Sequence, residues 1–264
     1  MGVKKIITYC FIMLLCIPLQ ANEAVQNQKI EVGIDEQLDS YIPMELEFKN
    51  ADGEPVKLGD IIDRPVLLSL VYYECPGICN PLLTELAATI DKVELAPYED
   101  FKMLSISFDH RETPKIAKRW KKNYLAAINR EFPNDSWNFL TGDSVTIKKL
   151  TDAVGFYFKR DGDDFSHAGS VIAISPEGKI TRYIFGTTFN QFDLKMALID
   201  AEAGNSNPTI AKVLQFCFSY DREGRTYTLN ITRIIGTVML LAVGVFLSVL
   251  VFKKKKDKSK KVDV

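Results

Sequence analysis

Two apolar runs in the first half of the chain are hydrophobic on both faces, which is the pattern of strands inside a parallel sheet. They cover residues 65–73 and 101–108. A helical pattern follows each run, from residue 80 to about 95 and from residue 113 to about 129, and Asn80 is expected to cap the first of these helices. Right-handed β-α-β crossovers make such strands parallel, so their carboxyl ends are expected to meet at one edge of the sheet.

The second half of the chain predicts the remaining elements of the same sheet. A short strand at 138–140 precedes a helix at 145–154, and two β-rich runs at 170–175 and 180–185 flank a Pro-Glu-Gly-Lys turn. A helix at 192–203 follows. An α/β sheet that ends in an antiparallel hairpin and a final helix is the thioredoxin-like arrangement, and this is the fold class that we predict.

The N-terminus has the pattern of a secretory signal peptide. Lys4 and Lys5 precede an apolar region from Ile6 to Leu19, and Leu-Gln-Ala at 19–21 is a suitable cleavage site. An uncleaved N-terminal anchor is the alternative, but the apolar region is shorter than the ~20 residues of a spanning helix. We therefore predict a signal peptide at 1–21.

The C-terminus has the pattern of a membrane span. The segment from Ile234 to Phe252 carries no charge, and four lysines at 253–256 follow it directly. A lysine cluster beside a span marks the cytoplasmic side, whereas a buried core helix, the alternative, fits these flanking charges poorly. We expect a single-pass membrane protein with its domain on the periplasmic or extracytoplasmic side and its C-terminus in the cytoplasm.

These patterns divide the chain into six predicted segments. They are a signal peptide at 1–21, an extended arm at 22–42, a thioredoxin-like domain at 43–203, a juxtamembrane tether at 204–230, a transmembrane helix at 231–252 and a basic cytoplasmic tail at 253–264.

The charge of the segment between the two ends limits the class of partner. Residues 22–230 contain 23 basic and 32 acidic side chains, a net charge of −9. Binding to the phosphate backbone of a nucleic acid requires the opposite sign, so no nucleic-acid partner is expected. The same segment holds three cysteines, too few for a disulfide-stapled scaffold, which favours a chemical role for a closely spaced pair.

Cys75 and Cys79 form that pair, in the sequence Tyr-Glu-Cys-Pro-Gly-Ile-Cys-Asn-Pro at 73–81. They join the end of a predicted strand to the start of a predicted helix, at the sheet edge where open α/β folds bind ligands. Residues four apart in the first turn of a helix lie on one face, with Cβ atoms about 5 to 6 Å apart. The helix dipole favours the thiolate form of Cys79, which both metal binding and thiol exchange require.

Two thiols can bind a metal or exchange disulfides, and a third ligand close to them would favour metal binding. Histidine is a candidate for that ligand, and the chain has only two histidines. His167 precedes a strand that runs opposite to the central ones, so it is expected at the edge where those strands end. His110 follows the strand at 101–108 and reaches the same edge. We favour His167, because Gly162, Gly169 and the acidic residues around it predict a mobile loop that a ligand could use.

Two thiolates and an imidazole suit Cu(I), and the imidazole would also help to accept Cu(II). Zinc is an alternative by ligand type. A catalytic zinc site would need a general base, and no carboxylate is clearly placed for that role. A closed structural zinc site would need a fourth ligand, for which the candidates are Glu74, Asp109 and Cys217.

Three motifs together resemble the Sco/SenC family. They are Glu-Cys-Pro-Gly-Ile-Cys-Asn-Pro at 74–81, Ser-Ile-Ser-Phe-Asp at 105–109 with Glu-Thr-Pro at 112–114, and Phe-Ser-His at 165–167 before Ile-Ala-Ile-Ser-Pro-Glu-Gly at 172–178. The likeness covers about residues 43–203. The family commonly has an aspartate where this chain has Glu112, and a proline where it has Asn80.

The resemblance implies a thioredoxin-like fold and a copper chaperone for the dinuclear copper centre of cytochrome c oxidase. It also implies that Cys75, Cys79 and His167 are the copper ligands and that Asp109 lies behind them or caps a turn. An oxidase subunit is then the client. A thiol reductase is an expected second partner, since the compartment oxidises the dithiol.

Two other functions are compatible with the cysteine pair. A thiol-disulfide oxidoreductase that reduces cysteines of an oxidase subunit would need Cys75 and Cys79 but not His167. A thioredoxin-like adaptor would use their disulfide only as a brace. We predict the chaperone first and the oxidoreductase second.

Overall fold

The computed structural model describes residues 31–207, 218–221 and 226–229, with residues 239, 243 and 244. The chain divides into two compact units, Met1–Ser206 and Asn207–Val264. The predicted signal peptide and nearly all of the predicted span at 231–252 lie outside the described residues. Within the described part of the chain, no helix has the length and apolar character needed to cross a bilayer.

The first unit is built from strands and helices. They are β1 Gly33–Ile34, β2 Glu47–Lys49, β3 Pro55–Lys57, α1 Leu58–Ile61, β4 Val66–Val71, α2 Cys79–Ile90, β5 Lys102–Ser107, α3 Pro114–Leu125, a 3-10 turn at Asn134–Ser136, β6 Trp137–Leu140, α4 Ser144–Ala153, β7 Phe156–Tyr157, β8 Lys159–Asp161, β9 Asp164–Ser166, β10 Ser170–Ile174, β11 Ile180–Phe185 and α5 Gln191–Glu202.

A five-stranded sheet of order β11-β10-β4-β5-β6 forms the centre of this unit. Strands β4, β5 and β6 are parallel, whereas β10 is antiparallel to both β4 and β11. Every residue of β4 and β5 is buried, as the two-sided apolar runs predict. The thioredoxin-like α/β fold is therefore confirmed.

The register of β4 and β10 determines where the functional edge lies. Ser69 of β4 pairs with Val171 of β10, and Val66 pairs with Ile174. The start of β10 consequently lies beside the end of β4. This register brings the segment that precedes β10 to the segment that follows β4.

The helices end earlier than their sequence patterns predict. Helix α2 ends at Ile90 instead of near 95, and α3 ends at Leu125 instead of near 129. Just beyond α2, the carboxylate of Asp91 accepts the backbone N–H groups of Asn129 and Arg130. Beyond α3, the N–H groups of Asn129 and Arg130 thus bind Asp91 instead of carbonyls of a longer helix.

Asn80 does not cap α2, contrary to the prediction. The helix begins at Cys79, so Asn80 already lies in its first turn. Its side chain donates to the carbonyl of Cys75 at 3.3 Å and accepts from the hydroxyl of Tyr124 at 2.9 Å. Asn80 therefore ties the cysteine turn to helix α3.

The described part of the predicted arm turns at Asp39 and packs on the domain. Gly33 and Ile34 pair with β7, and the backbone N–H of Gln37 donates to the hydroxyl of Tyr183. Ile42 is buried.

In the second unit, strands β12 Phe218–Asp221 and β13 Thr226–Leu229 pair in antiparallel orientation inside the segment predicted as a tether. Cys217 lies outside the described residues.

Candidate metal centre

Cys75 and Cys79 are presented by the turn between β4 and α2. The backbone N–H of Cys75 donates to the carbonyl of Tyr72, and the N–H of Gly77 donates to the sulfur of Cys75 at 3.2 Å. Cys79 is the first residue of α2. Both cysteines are reduced, and only 3% and 2% of their surfaces are exposed.

His167 reaches the same place from a different part of the chain. It follows the short hairpin of β8 and β9, which turns at Gly162, where the positive φ of 64° favours glycine. The sequence predicted a mobile loop here; residues 159–166 form a hydrogen-bonded hairpin instead, and residues 167–169 form the loop that leads into β10. The imidazole packs against the rings of Phe108 and Tyr72, with centroids 5.0 and 5.8 Å away.

The hydrogen bonds of His167 determine which of its nitrogens can bind a metal. Its Nδ1 lies 3.0 Å from the carbonyl oxygen of Ala168. A carbonyl oxygen can only accept, so Nδ1 carries the proton and the lone pair of Nε2 is free for a metal. That Nε2 atom lies 3.5 Å from the sulfur of Cys79.

The potential ligand atoms of Cys75, Cys79 and His167 all lie within 4.8 Å of one another. Thiolate and imidazole ligands bind zinc at about 2.0 to 2.3 Å, and similar bonds to one central ion would separate three ligands by about 3.5 to 4 Å. Only small movements of the side chains are therefore needed to hold one ion. Two sulfurs and one nitrogen form a soft ligand set that suits copper.

The other sequence candidates do not join this group among the described residues. His110 lies in an exposed turn after β5. The carboxylate of Glu74 is exposed and forms an ion pair with Arg119 at 2.7 Å. The buried carboxylate of Asp109 forms an ion pair with Arg111, also at 2.7 Å. The geometry thus offers three protein ligands rather than the four of a closed zinc site.

The two cysteines share one proton. A hydrogen bond from the thiol of Cys79, aided by the N–H of Gly77, lowers the pKa of Cys75 to about 4 against the opposing effect of burial. The same hydrogen bond, together with burial, raises the pKa of Cys79. The thiolate at neutral pH is therefore that of Cys75 and not that of Cys79, contrary to the sequence prediction, and the proton on Cys79 must leave when a metal enters.

Glu112 is a functional candidate that sequence reasoning missed. Its carboxylate accepts the backbone N–H groups of Tyr73 and Glu74, both at 2.8 Å, and the hydroxyl of Ser107 at 2.5 Å. Burial raises its pKa, although these three hydrogen bonds oppose the rise. The carboxylate fixes the chain just before Cys75. The sequence feature that could have revealed Glu112 is its position directly before the Thr-Pro pair at the start of helix α3.

Asp109 is buried beside this cluster and contacts Arg111 instead of the cysteines. Burial by itself would raise its pKa, but the guanidinium of Arg111 holds the pKa below its ordinary value. The two side chains share three short contacts, from Nε to both carboxylate oxygens and from Nη2 to Oδ2. Asp109 therefore remains ionised, with its carboxylate paired to Arg111.

Comparison with known families identifies the family of the chain. The profile of the SCO1/SenC family matches residues 35–198, which is more than half of the sequence. The chain belongs to the SCO1/SenC family. Members of the Sco family are cytochrome c oxidase assembly proteins.

Individual relatives agree with this SCO1/SenC membership. A Stutzerimonas stutzeri protein, provisionally named as copper-binding, is 24% identical over 146 residues, which are 53% of this chain and 67% of that protein. A solved Aquifex aeolicus structure, provisionally assigned to electron transfer, is 29% identical with a TM-score of 0.58, and it covers 63% of this chain and 95% of its own. Copper-bound ScoI of Arabidopsis thaliana shares the fold, with 22% identity, a TM-score of 0.50, and coverage of 59% of this chain and 94% of its own.

Proposed function

We propose that this SCO1/SenC protein is a membrane-tethered metallochaperone that binds copper through Cys75, Cys79 and His167 and delivers it to a respiratory oxidase. The observation that carries the proposal is the meeting of two sulfurs and one imidazole nitrogen within 4.8 Å. Copper is the cargo of this protein and not a resident cofactor.

The ligand set suits reversible loading. Two thiolates favour Cu(I), and the imidazole extends the site to Cu(II). The carbonyl of Ala168 orients the imidazole, as partners of ligating histidines commonly do. Three protein ligands leave the ion open to a fourth ligand, which a client protein can supply during transfer.

Family membership supports the choice of client. Sco proteins take part in the assembly of cytochrome c oxidase, so an oxidase subunit with a copper centre is the proposed receiver. The proposed location is extracytoplasmic, with the predicted helix at 231–252 as the anchor. A thiol reductase is the proposed second partner, because both cysteines must be reduced to bind Cu(I).

Metal analysis of the full chain, purified anaerobically under reducing conditions, tests the proposal. We expect about one copper per chain, and retention of copper in competition with zinc, because two soft thiolates favour Cu(I) under these conditions. Cys75→Ser and Cys79→Ser should each abolish tight binding. Preferential retention of zinc, or copper binding that survives the loss of either cysteine, would refute the proposed site.

A thiol-disulfide oxidoreductase is the second candidate, and the lowered pKa of Cys75 favours it. The burial of both cysteines opposes it, because a bulky client disulfide would reach the sulfur only after local opening. A reduction assay on an oxidase-subunit peptide separates the two functions. Full activity of a metal-free His167→Ala variant would favour the oxidoreductase.

A further inference from the structure

The hairpin of β8 and β9 positions His167, and in the described part of the chain it pairs with no other strand. All three residues of β8 are exposed. An isolated two-stranded hairpin is marginally stable in water. The position of His167 therefore depends on the contacts that hold this hairpin against the rest of the domain.

Arg111 makes two of these contacts. Its Nη2 donates to the backbone carbonyl of Asp163, in the turn of the hairpin, at 3.0 Å. Its guanidinium carbon lies 5.6 Å from the centre of the Phe165 ring, in strand β9. A cation at this distance from an aromatic ring is attracted to it. One side chain thus holds both the turn and the second strand.

Asp109 holds Arg111 in place. The guanidinium Nε donates to both carboxylate oxygens at 2.8 and 3.0 Å, and Nη2 donates to Oδ2 at 2.7 Å. The backbone N–H of Arg111 also donates to this carboxylate. Only 6% of the Asp109 side chain is exposed, against 37% for Arg111. A forked pair of this kind fixes the direction of the guanidinium.

Phe165 and His167 share their packing partners. Phe165 lies 5.3 Å from Tyr72 and 5.5 Å from Phe108, measured between ring centroids. The imidazole of His167 packs against the same two rings. A hairpin that moves away from Phe108 would therefore carry His167 out of the candidate centre.

We propose that Arg111, held by Asp109, is a latch that keeps the β8–β9 hairpin docked and thereby positions His167 as the third ligand. The inference rests on the copper-binding function proposed above. Arg111 touches neither the cysteines nor the imidazole in the described contacts, so it is a positioning residue. When the latch opens, the two thiolates of the cysteine turn remain as the ligands that the described residues supply to the site.

A double-mutant cycle on the reduced full chain tests the latch. Arg111→Gln should lower the Cu(I) affinity about tenfold, the lower end of the range for lost partners of metal ligands. In a His167→Ala background the same substitution should change the affinity by less than about twofold, because Arg111 acts through the position of the His167 imidazole, which that background lacks. Equal losses in both backgrounds would overturn the latch, as would no loss in the wild-type background.

Arg119→Gln is the matched control. Arg119 forms an exposed ion pair with Glu74, next to Cys75, so this variant makes the same change of charge close to the site. It does not contact the hairpin in the described structure. Exposed pairs contribute little, so we expect an affinity change below about threefold. A loss as large as that of Arg111→Gln would mean that net charge, and not the latch, controls binding.

A metal-free measurement separates this inference from the proposed function. Proton NMR of the reduced protein should show close contacts between the imidazole of His167 and the ring of Phe108. Arg111→Gln should weaken them, and Asp109→Asn should weaken them less while leaving the fold, followed by circular dichroism, intact. If these contacts depend on Arg111 but the wild-type protein fails to bind copper in the metal analysis, the latch stands and the chaperone function fails. Contacts that persist unchanged in both folded variants would overturn the latch.

Discussion

The Nε2 atom of His167 lies 3.5 Å from the sulfur of Cys79, although 88 residues separate them in the chain. The antiparallel pairing of β10 with β4 produces this proximity, because it places the start of one strand beside the end of the other. His110, the other histidine, lies in an exposed turn and is not part of the group of close ligand atoms. The two histidines should therefore differ in their effect on metal binding.

We expect His167→Ala to lower the Cu(I) affinity of the reduced full chain at least about tenfold, because an aligned ligand is lost. His110→Ala should change it by less than about twofold, as substitutions of exposed residues commonly do. Competition with a colorimetric Cu(I) chelator measures both. Equal effects of the two substitutions would count against the site.

The thiol of Cys75 should titrate far below an ordinary cysteine. Its pKa is lowered to about 4, whereas a free thiol ionises near pH 8.5. The thiolate should therefore persist as the pH falls from neutral and disappear only near pH 4. Ultraviolet absorbance of the thiolate, taken as the difference between the wild type and Cys75→Ala, measures this.

Cys79→Ala provides the control for that titration. The variant removes the hydrogen-bond donor that lowers the pKa of Cys75 most, so the pKa should rise toward its ordinary value. A thiol that still ionises near pH 4 without Cys79 would show that the shared proton is not the cause.

Glu112→Gln should destabilise the protein by about 1 to 3 kcal/mol, the cost of an unsatisfied buried group. The carboxylate accepts two backbone N–H groups through different oxygens. A glutamine amide can accept only one of them, and its NH2 group would face the other donor. Urea denaturation measures the free energy of unfolding.

Glu74→Gln is the matched control for this carboxylate. Glu74 is exposed, and its substitution should change the free energy of unfolding by no more than about 0.5 kcal/mol. If both variants lose the same stability, burial of the Glu112 carboxylate is not what stabilises the turn before Cys75.

Tyr73→Phe should lower stability without changing copper affinity. The buried hydroxyl of Tyr73 lies 2.9 Å from the carbonyl of Ser105 and 2.8 Å from that of Leu140, so it links β5 to the end of β6. Its loss should cost about 0.5 to 1.5 kcal/mol, the net value of a typical hydrogen bond. Tyr41→Phe, at a residue that is 61% exposed, is the neutral control for urea denaturation. A Tyr73→Phe variant with wild-type stability would contradict the prediction.

Much of the fold could be predicted from the sequence because its signals are local. The two-sided apolar runs become β4 and β5, and the Pro-Glu-Gly-Lys turn joins β10 to β11. The helix ends were less predictable, since hydrogen bonds between distant segments, such as those of Asp91, decide where a helix stops. Asn80 was wrongly predicted as a cap for the same reason, because Cys75 and Tyr124 bind its side chain.

Local patterns in the sequence placed Cys75 and Cys79 at the junction of a strand and a helix, and they directed both histidines to that edge of the sheet, whereas the turn before α2 brings the two sulfurs together. Folding selects between the two histidines, because the choice depends on how a hairpin docks and not on any local pattern. It also decides the roles of Glu112, Asp109 and Arg111. A carboxylate or guanidinium acts through the particular donors and acceptors it meets, and those come from parts of the chain that only folding brings together.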